Sequence, residues 1–103
     1  MKYEKVLNAE SIFNMQKLID KAIKACEVSN IKGRTYRVIC AKSIIYHELY
    51  NSGYNISAIA KMMGVTHSTV INLLKKYDDR LKYDKEFKML VDKFNSYGNQ
   101  SES

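Results

Sequence analysis

Proline is absent from this chain, glycine occurs only four times and cysteine twice. The missing proline removes the strongest helix breaker. With 46% of the residues hydrophobic, that absence favours an all-α fold. No apolar run reaches the roughly 18 residues a membrane span needs, so no span is expected. The opening stretch, MKYEKVLNAES, carries Glu4 and Glu10 and lacks an apolar signal core, which points to a cytoplasmic protein. Cys26 and Cys40 lie in apolar, helical surroundings, where an intracellular protein keeps its thiols reduced. No CxxC and no HxxxH joins them to His47 or His67, so no metal and no cofactor is expected. A GxxxxGK[ST] loop is missing, as is a nucleophile beside a second titratable group, so the chain does not read as an enzyme. At 103 residues it reads as one domain with a modest core.

Acidic residues are scarce in the middle. Residues 28–77 hold seven basic groups against Glu48 alone. Residues 1–27 hold five basic and four acidic groups, and residues 78–103 five basic and six acidic. The whole excess of +6 therefore sits in the central stretch. Concentrated positive charge is the electrostatic footprint of phosphate binding. The plainer reading is a solvated lysine surface.

Residues 55–77, NISAIAKMMGVTHSTVINLLKKY, organise that stretch. Ile56, Ile59, Ala60 and Met63 recur at helical spacing, Gly64 breaks the pattern, and Val70, Leu73 and Leu74 resume it. Gly64 suits the left-handed turn that ends a helix. Thr66 is placed to cap the next helix, and Ala60 is small enough for the two to cross closely. A short helix, a glycine turn and a capped second helix make a helix-turn-helix, whose second helix enters the major groove by its N-terminal residues. Those residues are Thr66, His67, Ser68 and Thr69, the candidates for base contacts. Lys42, Lys61, Asn72, Lys75 and Lys76 are the candidates for the sugar–phosphate backbone.

The string GVTHSTV resembles the signature of the C-terminal DNA-binding domain of the bacterial replication initiator DnaA, roughly G-R-D-H-T/S-T-V. RTYRVICAKSIIYHEL, from Arg34 to Leu49, resembles the basic loop and long helix that precede the motif there. DDRLKYDKEFKMLVDKF is similar to the closing helices, so the resemblance spans residues 11 to 97. It implies a basic loop that reaches the minor groove, with Arg34 the best positional match and Arg37 the second. A solvated loop arginine is the plain alternative. It also implies a phosphate contact near Lys42, against which stands a snorkelling surface lysine. Val65 and Thr66 depart from the family, which has a phosphate-contacting arginine and a base-contacting aspartate at those places. The recognised sequence should differ accordingly.

The remaining chain reads as supports for the motif. A flexible arm is expected over residues 1–10. A first helix is expected from Ala9 to Glu27, with a core stripe of Ile12, Met15, Ile19, Ala22, Ile23 and Cys26. A coiled-coil seam is the alternative for that stripe. A second helix, Tyr36 to Tyr50, is apolar nearly all round and should be central, with His47 and Glu48 turned to solvent. Asn55 or Ser57 should cap the third helix. The acidic run Asp78, Asp79 and Asp84 should turn away from phosphates, and Asp84 should cap a last helix with Phe87, Leu90, Val91 and Phe94 inward. The tail from Gly98 should be disordered.

These readings combine into a compact all-α bundle of about five helices that binds double-stranded DNA with sequence preference, in replication initiation or transcription control. A stand-alone monomer from a phage, mobile element or bacterium is the expected form. A dimeric helix-turn-helix repressor, or a protein-contact module that meets an initiator or other protein, is the alternative. No small-molecule substrate is expected.

Overall fold

A short polar side chain starts each helix of this protein. Asn8, Thr35, Asn55 and Thr66 stand in extended backbone, and each accepts a hydrogen bond from the N–H three residues on. Asp84 does the same for Phe87 at 3.1 Å. Such caps satisfy backbone donors that the helix itself leaves unpaired. The computed structural model describes residues 8–102, with side chains through residue 97. These residues form α1 (Ala9–Cys26), α2 (Tyr36–Asn51), α3 (Ile56–Met63), α4 (His67–Tyr83) and α5 (Lys85–Glu102). The fold is all-α, with no strand among the described residues.

α2 is the central element: α1, α3, α4 and α5 all pack on it. Its burial runs round the circumference, from Val38 through Cys40, Ile44, Ile45 and Tyr46 to Leu49. Sequestering side chains such as Ile44, Ile45 and Leu49 contributes about 1.5–3 kcal/mol each. α5 closes the bundle against α1 through Phe87, Leu90, Val91 and Phe94, the stripe expected from the sequence. The Lys21 ammonium sits 4.1 Å from the Phe94 ring centroid, closing the edge of that contact.

The inner face of α1 is turned from its expected position. Ser11, Ala22, Ala25 and Cys26 are buried, whereas Ile12 is 57% and Phe13 62% exposed. Ser11 holds the inward place because its hydroxyl donates to Asn8 and receives the Tyr54 hydroxyl at 3.2 Å. That second bond ties the start of α1 to the turn before α3.

α4 differs most from expectation. The sequence places its end at Tyr77, but the helix continues through Asp78 and Asp79 to Tyr83. No glycine or proline stands between Val65 and Tyr97 to stop it, and Leu74, Tyr77 and Leu81 extend its apolar side into the core. Residues 1–7 of the expected arm lie outside the described residues, while Asn8, Ala9 and Glu10 cap and open α1. α5 runs to Glu102, through the residues from Gly98 expected to be disordered. No helix of the described residues is long and apolar enough to cross a membrane.

Candidate nucleic-acid interface

The turn between α3 and α4 is built from three residues. Gly64 adopts φ 67°, ψ 37°, and its N–H bonds back to the Ala60 and Lys61 carbonyls. The Val65 N–H returns to the Ala60 carbonyl at 3.0 Å, so the Ala60 and Lys61 carbonyls are satisfied. Thr66 then accepts from the Thr69 N–H at 3.3 Å and opens α4. The helices pack through Ile59, Ala60 and Val70, all buried. Ala60 is the small residue that lets them approach.

This arrangement presents the N-terminal end of α4. Thr66, His67 and Ser68 are exposed, and Thr69 is half-buried. Their polar groups are differently engaged. The Thr66 and Thr69 hydroxyls lie 3.0 Å apart. His67 Nε2 is 2.7 Å from the Ser57 hydroxyl on α3, a bond whose donor follows from the imidazole tautomer. His67 Nδ1 and the Ser68 hydroxyl have no hydrogen-bond partner among the described residues. Farther along α4, Asn72, Lys75 and Lys76 are exposed, as is Lys61 on α3.

The two arginines of the loop between α1 and α2 have separate fates. Arg34 is exposed, with no ion pair among the described residues. Arg37 is half-buried, and its guanidinium is engaged within the protein. Its Nε donates to Glu86 at 3.1 Å, and its Nη1 donates to Glu27 at 3.0 Å and to the Cys26 carbonyl at 3.3 Å. The guanidinium therefore joins the end of α1 to the starts of α2 and α5. Lys42 is half-buried, and its ammonium donates to the Gly33 carbonyl at 3.0 Å. It braces the loop that carries Arg34. Sequence spacing alone could not separate Arg34 from Arg37, because the deciding carboxylate, Glu86, lies 49 residues away.

His47 also departs from its expected exposure. Its ring stacks on Tyr77 of α4 with centroids 3.6 Å apart and planes within 3°. Tyr77 meets Phe87 edge-on at 5.3 Å. Burial pushes the Tyr77 hydroxyl up to about 12. Cys26 and Cys40 are free and buried. Burial raises both thiols, Cys26 to about 11, so neither supplies a thiolate nucleophile at neutral pH. A separate open cleft of about 680 Å³, lined by Lys17, Lys21, Tyr54 and Tyr97 among others, lies between α1 and the turn before α3. It uses none of the groups at the α4 tip.

Residues 47–83 fit the family described as putative ATPase subunit of terminase (gpP-like). No curated protein and no solved structure matches the chain. The matched segment begins in the last turn of α2 and ends on the last residue of α4, so the likeness covers the helix-turn-helix and the full length of its second helix.

Proposed function

We propose that this chain binds double-stranded DNA through the α3–α4 helix-turn-helix, with sequence preference read in the major groove. The observation that carries this reading is the capped, exposed N-terminal end of α4, set in the one stretch that holds the chain's positive excess. A helix N-terminus carries partial positive charge and unpaired N–H groups, both suited to phosphate at a groove edge. Lys61, Lys75 and Lys76 supply mobile charge around the tip, and Arg34 is the loop cation for a neighbouring minor groove. The chain acts by binding and not by catalysis. The family match to an ATPase subunit falls on the helix-turn-helix, and the 103 residues contain no GxxxxGK[ST] loop. That family's description supports a part in phage DNA packaging. The DnaA-like GVTHSTV signature supports replication initiation or transcription control.

A titration of labelled mixed-sequence duplex at about 50 and 200 mM salt tests the reading, because a binder with several phosphate contacts weakens steeply between them. Lys75→Ala should lower affinity for every duplex and reduce the log–log salt slope by about 1. Absence of binding at both salts overturns the proposal and leaves a protein partner. With selected sites, an asymmetric motif indicates a monomer and a palindrome a dimeric repressor.

A further inference from the structure

The groups at the tip of α4 are not equally free to meet a base. Thr66 and Thr69 form the cap and bond each other, and His67 holds Ser57. Three of the four residues nominated from the sequence thus have hydrogen bonds within the protein. Ser68 and Asn72 are exposed and have no hydrogen-bond partner among the described residues.

Helix geometry decides where these two point. At about 100° per residue, Asn72 lies about 40° from Ser68, and Lys75 about 20° to its other side. The three form one row, opposite the side on which Val70 and Tyr77 enter the core. Ser68 and Asn72 are separated by about 6 Å of helix rise, close to two base-pair steps. The next residue of the row is Asp79, also exposed. Its carboxylate would face phosphates if α4 lay flat along a groove, so the helix must enter by its first two turns, which end near Lys75.

We infer that Asn72 is the principal base-reading residue of this chain, and that the base it reads is adenine. Its carboxamide carries one acceptor and one donor at the spacing of adenine N6 and N7, a pairing that a hydroxyl or an ammonium cannot make. Ser68 sits beside it, and Lys75 meets the flanking phosphate. Sequence position alone puts Asn72 with the backbone contacts; its unpartnered carboxamide, in the exposed row beside Ser68 and ahead of Lys75, moves it to the bases. This inference rests on the DNA binding proposed above.

The test is selection from a random duplex pool with the wild-type protein, Asn72→Ala and Asn72→Arg, each checked by circular dichroism for retained helix. The wild type should enrich a motif containing a fixed adenine. Asn72→Ala should lose the preference at that position alone and bind the wild-type motif about tenfold or more weakly. Asn72→Arg should move the position towards guanine, whose O6 and N7 accept from a guanidinium. An unchanged motif for Asn72→Ala, or a loss equal on all sequences, overturns the assignment and leaves DNA binding intact. Wild-type binding without enrichment overturns it as well. A wild type that binds no duplex overturns both this inference and the function it rests on.

Discussion

Gly64 shows how one residue can be required for its backbone alone. Its φ is 67°, and a Cβ built on it would meet no atom within 4 Å. Space is therefore no obstacle to substitution, and the left-handed conformation is the whole cost. Gly64→Ala should destabilise the protein by about 1–2 kcal/mol in urea unfolding. Gly64→Asn should cost less, since asparagine tolerates that region. Equal losses would mean that something other than the backbone angle is at stake. This glycine was legible in the sequence because its reason is local. Ser11 was not: a serine in an apolar stripe reads as a polar interruption, and only the Tyr54 hydroxyl, 43 residues away, explains its burial. The stack of His47 on Tyr77 was hidden for the same reason.

At the scale of elements, the junction of α4 and α5 turns on Asp84. Its N–H ends α4 by returning to the Arg80 carbonyl at 2.8 Å, and its carboxylate caps α5. The Tyr36 hydroxyl of α2 donates to the same carboxylate. That hydroxyl, followed by the Phe87 N–H, holds the Asp84 carboxyl below the ordinary carboxylate range. A depressed carboxyl stabilises the fold above its unfolded value and loses that contribution as pH falls through the folded one. Asp84→Ala should thus cost about 1 kcal/mol at neutral pH, as for a lost N-cap. Its deficit relative to wild type should shrink below about pH 4, the unperturbed aspartate range. Paired denaturant melts at pH 7 and pH 3 would show this, and a constant deficit would refute it. The caps at Asn55, Thr66 and Asp84 were readable because each is a short polar residue before a periodic run. The length of α4 was not legible from the motif, whose periodic run bounds it at Tyr77, whereas a helix without glycine or proline continues while its apolar side stays covered.

Across the whole molecule, the two loop arginines stand apart: Arg37 is tied into the structure, and Arg34 is the one the proposed DNA binding would use. Arg37 gathers Glu27, Glu86 and the Cys26 carbonyl, so it fastens α1, α2 and α5 at one corner. Arg34, three residues earlier, is exposed on the loop that Lys42 braces. Arg37→Ala should lower the Tm, and any change in DNA affinity should follow from lost stability. Arg34→Ala should leave the Tm unchanged and weaken binding to duplexes with A·T-rich flanks most strongly. The reverse pattern in calorimetry and duplex titration would exchange the roles. The fold class, the order of helices and the position of the motif were legible from periodicity and charge. The division between the arginines was not, because ion pairs between distant helices leave no spacing in the sequence.

The continuity of α4 joins these scales through angular phase. The same helix carries Ser68, Asn72 and Lys75 at one end and Val70, Tyr77 and Leu81 against the bundle, with no break between them. One residue inserted after Asn72 would swing the outer row by about 100° relative to the core residues that follow, while seven would return it to within about 20° of its bearing. The tip is geared to the core, so the bearing of its outer row is fixed by how the rest of the helix is seated.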